Sequence, residues 1–71
     1  MKITFYFNRV INVSVFMAVL QDFSAYVDAF DFGGNVVTFT MHSHCNDLDM
    51  IRLIQLTLQK FNRYGLQRFD Y

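Results

Sequence analysis

The chain of 71 residues has no proline, no tryptophan, no glutamate and only one cysteine, Cys45. A single cysteine excludes an internal disulfide, so the fold is not a small disulfide-stapled secreted scaffold. A reducing, cytoplasmic location is therefore the expectation. The chain also lacks repeats and low-complexity tracts, which indicates one domain spanning residues 1–71.

Charge of either sign is scarce. Six basic residues offset six aspartates, and the formal net charge is zero. Because tight nonspecific binding to nucleic acid or to an anionic membrane needs a basic field, we expect neither partner. No apolar run reaches the roughly 18 residues of a membrane span. Arg9, Asn12 and Ser14 interrupt an N-terminal stretch that loosely mimics a signal peptide, so we expect it to belong to the fold.

Apolar side chains, by contrast, are abundant. They make up 54% of the residues, and nine of them are phenylalanine. A chain this short buries only a modest core, so part of this apolar surface should remain exposed. A contiguous exposed apolar patch usually marks an interaction site. The composition therefore points to a partner.

Alternation and helical periodicity divide the chain into six elements. Lys2 to Asn8 alternates as a half-buried strand. Asn12 can cap a helix that runs to about Phe23. Its predicted buried residues are Phe16, Val19, Leu20 and Phe23.

A second helix should run from Asn46 or Asp47 to about Tyr64, where Gly65 can terminate it. Residues 66–71 alternate and can add an edge strand. The predicted buried stripe of this helix is Ile51, Ile54, Leu58 and Phe61.

The segment "GGN" between two strand-like runs predicts a β-hairpin. A two-residue loop would bring Asp28 beside Phe39 in the core, which is costly for an unpaired carboxylate. We therefore prefer a three-residue loop. In that register one core face carries Val27, Ala29, Val37, Phe39 and Met41.

The resulting order, β-α-β-β-α-β, predicts an α+β fold with two helices on one face of a small antiparallel sheet. If residues 66–71 are not a strand, three strands remain. The order resembles the ferredoxin-like arrangement in architecture alone. That arrangement hosts many unrelated functions, so it implies none here.

The segment "TMHSHCND" holds both histidines and the cysteine. His42 and His44 share a strand face and could bind a metal with Cys45 or Asp47. Structural zinc sites, however, use four ligands, and no second cluster is present. A Cys45–histidine catalytic pair lacks an orienting group and an oxyanion donor. We predict no metal, no cofactor and no catalytic residue.

In the preferred register the sheet face away from the helices is rich in aromatic residues. Aromatic residues are enriched at the centres of protein interfaces. The face and one exposed helix residue, Leu56, supply the predicted partner contacts: Tyr6, Tyr26, Phe30, Thr38, Thr40, His42 and Leu56.

We therefore predict a small non-catalytic protein-binding module. It would be an inhibitor, adaptor or regulatory subunit, as many phage and mobile-element proteins are, and it would bind a protein partner or a second copy of itself as a homodimer. The first alternative is a nucleic-acid-binding module that stacks bases on the same face. The second is a metal-binding protein centred on His42 and His44.

Overall fold

The computed structural model describes the whole chain, Met1 to Tyr71, and confirms the predicted element order. The elements are β1 (Lys2–Phe7), α1 (Val13–Leu20), β2 (Val27–Gly33), β3 (Val36–Met41), α2 (Asp47–Lys60) and β4 (Leu66–Asp70). Short 3₁₀ turns, Gln21–Phe23 and Asn62–Tyr64, follow the two helices. No helix in the structure is long and apolar enough to cross a bilayer.

The four strands form one antiparallel sheet in the order β2-β3-β1-β4. The central strands β1 and β3 bury alternate residues on a single face, and both helices pack on that face. The other two strands are edges, each with one side free of any neighbouring strand. The buried strand residues are Ile3, Phe5, Phe7, Val37, Phe39 and Met41.

Side-chain caps fix the residues at which the two helices begin. The Asn12 side chain accepts hydrogen bonds from the backbone nitrogens of Ser14 and Val15 at 2.8 and 3.3 Å. At the start of α2, Asn46 and Asp49 form a reciprocal capping box with two 3.0 Å bonds. These bonds satisfy amide groups that the first helical turn leaves unpaired, and they confirm both predicted starts.

The predicted register of the β2–β3 hairpin is wrong near the turn. Gly33 lies opposite Val36, so the loop has two residues, Gly34 and Asn35. Gly34 has a positive φ of 64° and Asn35 does not, a pattern typical of a type II′ turn. Asn35 also anchors the turn to β1, because its side-chain amide and its backbone carbonyl each bond to Phe7 at 2.9 Å.

A β-bulge in β2 removes the cost that argued against this loop. From the turn, Phe30 lies opposite Phe39, but the pairing shifts between Ala29 and Val27, and Val27 lies opposite Met41. Asp28 is the extra residue, and its carboxylate pairs with the imidazole of His42. The bulge therefore keeps Asp28 out of the core and leaves Phe30 on the helix side of the sheet.

The buried stripe predicted for α2 is also rotated from the observed one. Ile51 and Leu58 are exposed, whereas Phe61 is buried as expected. The residues of α2 that are buried are Met50, Leu53 and Thr57. Thr57 is tolerated there because its hydroxyl donates a 2.8 Å bond to the Leu53 carbonyl, which leaves no buried polar atom unpaired.

Phenylalanine rings join the sheet to both helices. Phe39, on the central strand β3, lies 4.9 Å from Phe23, 6.0 Å from Phe5 and 6.5 Å from Phe16, measured between ring centroids. These separations fall in the range where aromatic pairs add to the energy of burial. Phe39 therefore joins β1 and β3 to the first helical segment, which consists of α1 and the 3₁₀ turn that follows it.

Replacing Phe39 with alanine should unfold the domain. Phe→Ala in a packed core costs about 3 to 5 kcal/mol, which is close to the whole stability of a domain of this size, about 3 to 5 kcal/mol. Urea denaturation followed by circular dichroism measures the loss. The exposed α2 variant Gln55→Ala is the control and should stay within about 0.5 kcal/mol of the parent. Equal midpoints for the two variants would contradict the core assignment.

Candidate protein-binding groove

A groove lies between the first helical segment and the edge strand β2. Its volume is about 390 Å³, and six of its nine lining residues are hydrophobic. Both α1 and the 3₁₀ turn after it supply one wall, and the first half of β2 supplies the other. The lining residues are Met17, Leu20, Gln21, Phe23, Ser24, Val27, Asp28, Ala29 and Phe30.

The two sides of the groove end in exposed apolar side chains. Met17 is 55% exposed and Phe30 is 43% exposed, while Phe23 is buried at the core end. The Phe30 ring is held in place by the buried Phe16 ring, 5.2 Å away. The groove therefore has an aromatic wall, an exposed thioether at its rim and an apolar interior. Aromatic and methionine side chains are enriched at the centres of protein interfaces.

The open face of the sheet, which is the face away from the helices, carries different residues from those predicted. Phe30 lies on the other face, and the Tyr26 side chain is half-buried against the core cluster. Tyr6 does lie on the open face, but the Arg68 guanidinium covers its ring at 3.9 Å. The face is instead mainly polar: Thr4 and Thr38 bond through their hydroxyls at 2.9 Å. The predicted aromatic face is therefore wrong.

The other predicted contact residues are dispersed. Thr38 and Thr40 are half-buried on the open face, away from the groove. Leu56 was expected to be exposed, but it is half-buried against the core cluster because α2 is rotated from the predicted orientation. Of the predicted contact residues, Phe30 alone lines the groove.

Both ring nitrogens of His42 are engaged within the chain. Nδ1 pairs with the Asp28 carboxylate, and Nε2 lies 2.9 Å from the Ser24 carbonyl oxygen. The His44 ring stacks on the His42 ring with centroids 5.1 Å apart. Both nitrogens of His42 therefore already face oxygen atoms of this chain. No group of three histidine, cysteine or aspartate side chains in the structure could hold a metal ion.

Cys45 is half-buried beside this histidine pair. Its thiol donates to the Tyr26 carbonyl over 3.7 Å. Partial burial, followed by the nearby Asp49 carboxylate, raises the pKa of the Cys45 thiol. Because the thiolate is the nucleophilic form, this environment is the reverse of the one that activates a catalytic cysteine.

The chain was compared with protein families, curated proteins and solved structures. No family model, curated protein or solved structure matches it.

The sequence contains a signal for the groove that the three-residue loop does not take into account. The apolar residues of β2 fall at odd-numbered positions at its start, Val27 and Ala29, and at even-numbered positions after that, Phe30 and Phe32. A change of phase within one strand is what a β-bulge produces. Placing a bulge at Asp28 would have turned Phe30 toward α1 and Met17.

The raised pKa of Cys45 predicts slow alkylation. At pH 8 the folded chain should react with iodoacetamide several-fold more slowly than the same chain in concentrated urea, because less of the thiol is ionised and access is restricted. Asp49→Asn should speed the reaction of the folded chain by removing a nearby negative charge. Mass spectrometry of timed samples measures the rates.

Asp47→Asn is the matched control, since Asp47 lies in the same helical turn but does not contribute to the shift. A Cys45 that reacts equally fast in the folded and unfolded chains would contradict this description of its surroundings.

Proposed function

We propose that this chain is a small non-catalytic protein-binding module that holds apolar side chains of a partner protein in the groove between α1 and β2. The groove itself carries the proposal, because its apolar interior is edged by exposed Met17 and Phe30. Exposed apolar patches beside polar surface are typical of interaction sites. In this role the chain would act as an inhibitor, adaptor or regulatory subunit.

The chemistry of the polar residues supports a non-catalytic role. The nitrogens of His42 are occupied by Asp28 and Ser24, and the pKa of the Cys45 thiol is raised. A nucleophilic site needs an ionised or base-activated group with an oriented partner. A half-buried thiol with a raised pKa is poorly suited to act as a nucleophile. Because this is the only cysteine of the chain, a reducing, cytoplasmic compartment is part of the proposal.

The arrangement of the sheet favours a ferredoxin-like fold. The order β2-β3-β1-β4 places β1 and β3 at the centre, so each helix connects two strands that are separated by a third. This is a pair of interleaved β-α-β units, as in the split β-α-β arrangement. The fold leaves the function open and contributes only the frame that holds α1 beside β2.

Nucleic-acid binding has less support than protein binding. Base stacking needs exposed aromatic rings in a basic groove, whereas the Tyr6 ring is covered by Arg68 and the net charge is zero. Random single-stranded RNA should bind no more tightly than about 10⁻⁴ to 10⁻⁶ M at physiological salt. Submicromolar binding in an anisotropy titration would favour this alternative.

Peptide selection tests the proposed role of the groove. Peptides selected from a random library on the immobilised chain should carry apolar anchor residues, because the groove interior is apolar. Met17→Ala should weaken the binding of these peptides by about 1 to 4 kcal/mol, the range for a truncated interface anchor. Since Met17 is largely exposed, the free energy of unfolding of the variant should be close to that of the parent. Isothermal titration calorimetry measures the affinities.

Val13→Ala is the matched control. Val13 is an exposed apolar residue one turn earlier on α1, and it does not line the groove. Peptide affinity should be the same for this variant and for the parent chain. Selected peptides that are insensitive to Met17→Ala but lost on Thr40→Lys would move the binding site to the open sheet face and overturn the proposal.

A further inference from the structure

The two edges of the sheet are not equivalent. The free edge of β2 has a bulge and two aspartates, Asp28 and Asp31, which are features that discourage pairing with another strand. The free edge of β4 has no proline, and its two charged residues, Arg68 and Asp70, are of opposite sign. Its irregularity lies toward Leu66, so the segment that ends at Asp70 pairs regularly with β1. This second edge is suited to receive another strand.

The helix side of β4 carries exposed aromatic rings. Phe69 contacts the buried Phe5 ring at 5.9 Å yet stays 36% exposed, and Tyr71, which is 78% exposed, stacks on it at 6.2 Å. Two stacked rings with this much exposed surface lose contact with water when a second strand lies beside them.

The opposite side of β4 carries a pair of opposite charges two residues apart. The Arg68 guanidinium donates a 2.6 Å hydrogen bond to the Asp70 carboxylate, and both side chains are more than half exposed. Phe69 lies midway between them in the sequence. The order Arg68-Phe69-Asp70 is therefore self-complementary when the strand is read against itself in the antiparallel direction.

We propose that β4 pairs with β4 of a second copy of this chain, antiparallel and with Phe69 at the two-fold axis. In this register each Arg68 lies directly opposite Asp70 of the other copy, on the open face. On the helix face the two Phe69 rings meet and Tyr71 flanks them. Opposite charges and aromatic pairs placed directly across two strands are stabilising. The product is a closed dimer with one continuous eight-stranded sheet.

Charge argues against pairing through β2 with a two-fold axis. Pairing β2 with itself about the axis would gather four aspartates along one edge, with no basic residue on the strand to offset them. Pairing β2 with β4 of another copy would place three aspartates beside one arginine. It is also a head-to-tail contact, which generates a ring or an open filament instead of a two-fold dimer. Of these pairings, the β4 pairing alone has a two-fold axis and joins opposite charges in equal number.

Exchanging the charges of Arg68 and Asp70 distinguishes a contact between two copies from a contribution to folding alone. Arg68→Asp places two aspartates opposite each other at both contacts, and Asp70→Arg does the same with two arginines. Each variant should raise the dimer dissociation constant by about tenfold or more, as expected for like charges directly opposed. Analytical ultracentrifugation of the full chain measures it, and circular dichroism verifies that each variant is folded.

Mixing the two single variants should restore a dimer, because each contact then joins one aspartate to one arginine. The two chains differ in mass, so native mass spectrometry identifies the heterodimer. The double variant Arg68→Asp/Asp70→Arg should dimerise as the parent does. Tyr71→Ser, which leaves the charges intact, should weaken the dimer several-fold, and Asp31→Arg on the other edge should not change it.

A parent chain that stays monomeric at millimolar concentration would overturn the proposal. So would single variants that dimerise like the parent, or a mixture that forms no heterodimer. Concentration-dependent polymers that Asp31→Arg abolishes would instead assign the contact to head-to-tail pairing of β2 with β4. None of these results depends on whether peptides bind in the groove.

Discussion

The β-bulge at Asp28 is the constraint on which the apolar groove depends. The turn at Gly34 fixes the pairing at one end of the β2–β3 hairpin, and the contact of Val27 with Met41 fixes it at the other. Between these ends β2 has one residue more than β3, so one residue must leave the ladder. Asp28 is that residue, and its carboxylate pairs with the imidazole of His42.

The bulge decides on which face of the sheet the apolar groove lies. With it, Phe30 and Phe32 turn toward α1, and the Phe32 ring stacks on Phe16 at 4.5 Å. Edge strand β2 thus forms an apolar groove with Met17, while the opposite face keeps threonines and a covered tyrosine. The groove and the aromatic rings of β4 both lie on the side of the sheet that bears the helices.

Local signals predicted most of the fold. The caps at Asn12 and Asn46 and the alternation of β1 each depend on residues close together in sequence, and all are confirmed. The hairpin at the glycines is confirmed too, but with a loop of two residues instead of three. The rotation of α2 could not be predicted, because apolar residues occur nearly all around this helix and the buried threonine looks polar. The groove was not predicted because the two-residue loop would place Asp28 in the core unless β2 has a bulge. In the structure Asp28 bulges out and pairs with His42, a contact between residues distant in sequence.

Cross-strand nuclear Overhauser effects measure this register most directly. With the bulge at Asp28 we expect contacts between the rings of Phe30 and Phe16, and backbone contacts between Ala29 and Thr40. Val27 should also contact Met41. Backbone contacts between Ala29 and Phe39, with no contact between Phe30 and Phe16, would mean a three-residue loop without a bulge. Phe30 would then lie on the opposite face of the sheet, and the groove between α1 and β2 would not exist.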